Sequence, residues 1–215
     1  RGMLVPSRMA FVSSPGPGVH YTDHGGSGMP VVLLHAMGVS SRCWFDLPGR
    51  LARRDPAYRV VTMDNRGAGQ TTPADAPGSI AAMADDCMAL ASHLRLGKLS
   101  LVGHSLGGLA VLNALYTAAS LFNAYVAIDP MLWMDDQVMV RRAAEVLRRA
   151  PPTGRSLFIA QGNNITPYDT GTAINHLALL RLNGIIEQEH HAALRYGYRF
   201  YQREDHGSIP LVAQY

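Results

Sequence analysis

The sequence predicts an α/β fold, a mainly parallel sheet with helices on both faces, and three observations predict it. Short, wholly apolar runs recur along the chain, as in strands buried on both faces. Segments with helical spacing of apolar residues separate them, and that alternation implies crossovers onto one shared sheet. A glycine-flanked serine stands where one apolar run meets a helical segment.

In chain order, residues 9–13 and 19–23 read as two opening strands joined by a Gly/Pro-rich hairpin connection at 13–18. A second turn cluster fills 25–30. Residues 31–35 (VVLLH) then form the first doubly buried run, and 59–64 (RVVTMD), 99–103 (LSLVG), 124–128 (AYVAI) and 156–160 (SLFIA) share its character. Residues 199–202 close the series. Ser79 is placed to cap a helix that carries Ile80, Met83, Cys87, Leu90 and Leu94 on one face and stops at Gly97. Asp85 and Asp86 fall on its polar, solvated face. An apolar helix runs from Leu109 to Tyr116. Asp135 is placed to cap a helix reaching Ala150, where Pro151 and Pro152 end it. Helices are further expected over 172–182 and within 185–194.

Composition narrows the function classes. Hydrophobic residues make up 47% and charged residues 16%, which excludes a disordered chain and predicts one globular domain over 1–215. The net charge is +3, and the cluster Arg141, Arg142, Arg148 and Arg149 reads as a solvated helix face. Without a long basic run, zinc-finger spacing or aromatic–basic interleaving, nucleic acid is not expected as a partner. Cys43 and Cys87 both sit in apolar contexts and read as buried thiols, which suits a reducing compartment. No apolar run approaches a membrane span, and the opening residues are too short and too broken by Pro6 for a signal peptide, so the expected location is cytoplasmic.

Chemistry concentrates where strands end, as it should in an open α/β sheet. Gly103-His104-Ser105-Leu106-Gly107-Gly108 has the form of a nucleophile elbow between strand and helix. Its glycines admit a turn too tight for side chains, the turn lifts Ser105 clear of the sheet, and the Leu106 N–H is left at a helix N-terminus to hold an oxyanion. A second oxyanion donor should come from the loop after an earlier strand, and the Met37 N–H in His35-Ala36-Met37-Gly38 fits. His35 itself reads as a residue that orders this loop.

A serine hydroxyl needs a base beside it. Of nine histidines, His206 alone follows the last strand, where the order Ser, acid, His places the general base. His20, His24, His93, His176, His190 and His191 read as surface or helix-face residues. None has metal-ligand spacing, and no cofactor is called for. The acid should follow the run at 156–160, but Gln161-Gly162-Asn163-Asn164 contains no carboxylate. Asp169 is the first acid reached, Asp129 after the preceding strand is the second choice, and a Ser–His dyad is the third. Asp205 adjoins His206 too closely to orient it well.

From about Val19 to Asn113 the chain resembles the α/β-hydrolase branch of proline iminopeptidases, enol-lactonases and non-haem haloperoxidases. VVLLHAMG, DNRGAGQT at 64–71 and LSLVGHSLGG carry that likeness. Ala36 departs from it, standing where the branch usually has Gly. From about Leu121 to Tyr215 the chain is similar to the esterase D and siderophore-esterase family, through LFNAYVAIDPMLWMDD, SLFIAQGNN with YDT after it, and YQREDHGSIPLVAQY. In that family the Asp-His-Gly-Ser run carries the catalytic histidine, which corresponds to His206. Met131 replaces a usual serine and Met134 a usual tryptophan.

The resemblance implies an α/β-hydrolase fold and a serine carboxylesterase acting on small to medium soluble esters. The stretch between Asp129 and Ser156 is too short for the helical cap of the first branch, so the site should be open, with Trp133, Met131, Met37 and Trp44 as apolar walls. The chain also stops soon after His206, where a closing helix is expected. The alternatives are an aminopeptidase, lactonase or perhydrolase on the same triad, or a hydrolase-like binding protein without turnover.

Overall fold

A computed structural model describes residues 8–13, 18–54, 58–73, 75, 78–149, 152–165, 170–189 and 194–212. Eight strands form one sheet in the order β1-β2-β4-β3-β5-β6-β7-β8. They are β1 (Arg8–Ser13), β2 (Gly18–Asp23), β3 (Pro30–Leu34), β4 (Arg59–Met63), β5 (Leu99–His104), β6 (Phe122–Ile128), β7 (Arg155–Gly162) and β8 (Leu194–Tyr201). The pairs β1–β2 and β2–β4 are antiparallel and the remaining pairs parallel.

The apolar runs sit at the centre of the sheet because both of their faces are covered. On β3, Val32 and Leu34 enter one core with helices α2 (Ile80–His93) and α3 (Leu106–Ala118). Val31 and Leu33, pointing oppositely by the two-residue period of a strand, enter a second core with Trp44 and α1 (Leu47–Ala52). Ser79 caps α2 as expected, its hydroxyl accepting from the Ala82 N–H at 3.1 Å. Among the described residues no helix is long and apolar enough to cross a membrane.

Four elements depart from the sequence expectation. Asp135 does not cap a helix. It lies inside a 3-10 turn, Met134–Gln137, at φ 48°, and α4 (Val138–Arg149) starts after it. The two helices expected over 172–182 and 185–194 are one, α5 (Thr170–Gln188), because Gly184 lies mid-helix and does not break it. The last strand begins at Leu194, not 199, and pairs with β7 along its whole length. Gly197 lies within it, where a Cβ would come within 3.2 Å of the Phe158 ring.

The fourth departure is Asp86, which is buried. Arg66 donates to both of its oxygens, from Nε and from an Nη, at 2.8 Å each. A fork-on-carboxylate pair taken out of water becomes a liability if one partner goes. Arg66→Met is therefore expected to destabilise the fold by about 3–5 kcal/mol in urea unfolding, since it strands the Asp86 charge. The arginine face of α4 does match expectation. It is exposed, and Arg141, Arg148 and Arg149 pair with Asp136, Glu189 and Glu145.

Candidate active site

β5 ends at His104, and Ser105 takes φ 58° and ψ −114° before α3 begins at Leu106. This is a strained conformation for a side-chain-bearing residue, held by its surroundings. The Ser105 N–H donates to the Ile128 carbonyl at 2.9 Å, and its carbonyl accepts from Leu109 at 3.1 Å. The glycines are obligatory for steric reasons. A Cβ on Gly103 would stand 2.2 Å from the Gly107 carbonyl oxygen, and one on Gly107 2.3 Å from that of Leu34. As the first residue of α3, Leu106 has no intrahelical acceptor for its N–H.

The loop after β3 faces this elbow. His35 is buried, and its Nε2 accepts the Asn65 backbone N–H at 2.9 Å. That contact leaves the proton on Nδ1, which donates to the Ala36 carbonyl at 2.7 Å. Burial pushes the His35 pKa down, so a neutral ring orders the loop that carries Met37. Asp64 anchors the same loop from below. Its Oδ1 accepts the Ser41 N–H at 2.8 Å, and its Oδ2 meets the Gln70 N–H at 2.9 Å and His20 Nδ1 at 3.0 Å. Burial opposes ionisation of Asp64, but these donors outweigh it and hold the carboxyl below its usual range. His20, expected at the surface, is thus buried as a partner of Asp64.

The loop after β8 carries His206. Asp205 folds it, with Oδ1 accepting the N–H groups of Gly207 and Ser208 at 2.9 and 2.8 Å. These bonds hold the Asp205 carboxyl below its usual range, and they occupy its Oδ1 in its own turn. His206 Nδ1 instead meets Asp129 Oδ2 at 2.5 Å. Asp129 follows β6, is fully buried, has φ 44°, and is tied to β7 by its N–H on the Ala160 carbonyl at 2.7 Å. The same Oδ2 accepts Asn164 Nδ2 at 2.5 Å. Asp169, the acid first expected, lies outside the described residues. The His104 ring packs against that of His206 at a 40° tilt, with centroids 4.5 Å apart. Burial, aided by the charge of His206, pushes the His104 pKa down to about 4, so it stays neutral near pH 7.

Ser105 and His206 both line a cleft of about 760 Å³, and Met37, Met131 and Trp133 line it too. Trp44 does not. It is 1% exposed and packs in the core beneath, and the neighbouring Phe45 lines the cleft in its place. One wall is polar and was not anticipated. Gln161, at the end of β7, is buried and donates to His176 Nδ1 of α5 at 2.5 Å, while its amide oxygen accepts from Tyr198. Between β6 and β7 the described residues hold only the 3-10 turn and α4, so nothing described there roofs the cleft.

A model of the alpha/beta hydrolase family matches residues 31–204. The proposed carbamate hydrolase RutD of Agrobacterium fabrum is 38% identical over 124 residues, covering 52% of this chain and 46% of that protein. RutD of Caulobacter vibrioides is 32% identical over 182 residues, covering 82% and 64%. The chain thus spans about half to two thirds of the length of these curated relatives. In structure it is similar to carboxylesterase CesB of Bacillus subtilis (TM-score 0.70, 15% identity, 98% of this chain and 89% of that one). It is similar too to the enol-lactonase of Burkholderia xenovorans LB400 (TM-score 0.66, 17% identity, 96% and 95%). Elbow, sheet order and family match agree: the chain belongs to the alpha/beta hydrolase family.

Proposed function

We propose that the protein is a serine carboxylesterase that cleaves small to medium soluble esters through an acyl-enzyme on Ser105. The observation that carries this reading is the Asp129–His206 hydrogen bond at the edge of the cleft that holds the elbow serine. His206, oriented through Nδ1 by Asp129, presents Nε2 as the base that takes the Ser105 proton as Oγ attacks the ester carbonyl. The Met37 and Leu106 N–H groups hold the oxyanion. His206 then protonates the leaving alcohol, and water repeats the sequence to release the acid. Asp129 takes the role for which sequence order favoured Asp169, and its burial and its bond to His206 support that choice.

One further reading has an observation of its own. The likeness to RutD over 182 residues favours attack by the same groups on a carbamate carbonyl. A series of p-nitrophenyl esters from acetate to palmitate, followed at 405 nm, tests the main reading. Turnover is expected from acetate to octanoate and should fade toward palmitate. An enzyme that hydrolysed p-nitrophenyl carbamates but none of these esters would shift the assignment to the second reading.

A further inference from the structure

Phe45 is left unexplained by the reaction. It follows the 3-10 turn Ser41–Trp44 at φ 47° and ψ −123°, backbone territory that glycine enters freely and a bulky L-residue only under strain. Its neighbours account for the path of the chain. Trp44 and Leu47 are both buried, and the Phe45 N–H closes the turn on the Arg42 carbonyl at 3.0 Å. They do not account for a phenylalanine, because glycine would serve that turn with neither strain nor a wetted ring. The side chain is 75% exposed, so packing returns nothing for the strain.

What the ring does have is position. It lines the cleft that holds Ser105, together with Met37 and Val39, themselves 54% and 43% exposed, and with the half-exposed Trp133. Exposed apolar side chains scattered singly are ordinary. Four of them on the rim of one cleft form a binding surface. Among the described residues lining that cleft none is Asp, Glu, Lys or Arg.

We propose that Phe45, with Met37 and Val39, is the subsite for an uncharged apolar arm of the substrate. The cleft then selects esters with a medium-length alkyl or aryl group over acetate-sized ones, an inference that rests on the Ser105 esterase reading above. Each methylene drawn off water onto the rim favours binding by about four-fold, so a few of them separate octyl from ethyl esters strongly. The strain at Phe45 is the cost of holding the ring over the cleft.

The test compares kcat/KM ratios in wild type, Phe45→Gly and Phe45→Asn, alongside thermal melting. Two substrate pairs cover both arms: p-nitrophenyl octanoate against acetate, and octyl against ethyl acetate in a pH-stat. In at least one pair the wild-type preference for the longer ester is expected to fall about ten-fold in both variants, with Phe45→Gly melting no lower than wild type. Asparagine tolerates positive φ and serves as the second probe if one variant folds poorly. Ratios that stay within two-fold of wild type in both pairs would overturn the subsite, as would a fall confined to a variant that melts early. Wild type that cleaves none of the four esters would instead overturn the esterase reading beneath it.

Discussion

Ser105→Ala is expected to lower kcat/KM for any ester the protein cleaves by about 10⁴-fold or more, measured with enzyme freshly shown to be folded. The size of the effect follows from the proposed chemistry. Without Oγ no acyl-enzyme forms, and only binding and the oxyanion donors remain to help water. Alanine suits the site, since the strain at φ 58° belongs to the backbone and persists unchanged. The melting temperature should therefore move little. A variant that keeps the wild-type rate would mean that ester cleavage occurs elsewhere on the molecule. His206→Ala should fall to a similar floor, because the two groups act as a unit and their losses do not add.

Asp129→Asn is expected to cost about 10³- to 10⁴-fold in kcat while leaving KM within a few-fold. The carboxylate accepts from His206 Nδ1 at 2.5 Å and is fully buried. An amide at that position can turn its NH₂ toward the ring, force the proton to Nε2 and remove the acceptor that Ser105 needs. The buried charge that stabilises the imidazolium is lost as well. Asn164, which donates to the same oxygen at 2.5 Å, would then face a competing donor. Asp169→Asn is the contrasting variant and is expected to stay within about three-fold of wild type. If Asp169→Asn collapses the rate and Asp129→Asn does not, Asp169 is the acid.

The features legible in the sequence are those set by local constraints. Gly103 and Gly107 announce the elbow because the clash they avoid lies within a few residues and against one neighbouring strand. The central strands declare themselves because burial on both faces demands unbroken apolar runs. What escaped depends on distance in the chain or on a single torsion. Asp129 meets His206 across 77 residues of chain, a pairing that strand order by itself ranked second to Asp169. Asp86 and His20 look solvent-facing by type, yet Arg66 and Asp64 make their burial tolerable. Trp44 and Phe45 are both large and aromatic, and hydrophobicity cannot say which turns inward. The structure buries Trp44 and, through a positive φ, turns Phe45 to the cleft. β8 starts five residues before the run at 199–202, and its pairing with β7 runs straight through Gly197.

Covalent labelling tests most directly whether Ser105 is the nucleophile of this fold. The protein is treated with a fluorophosphonate, digested, and the adduct located by mass spectrometry. One adduct on the peptide containing Gly103-His104-Ser105-Leu106-Gly107 is expected, absent in Ser105→Ala and strongly slowed in Asp129→Asn. A protein that hydrolyses esters but takes up no label, or that carries the label on another residue, would contradict that role.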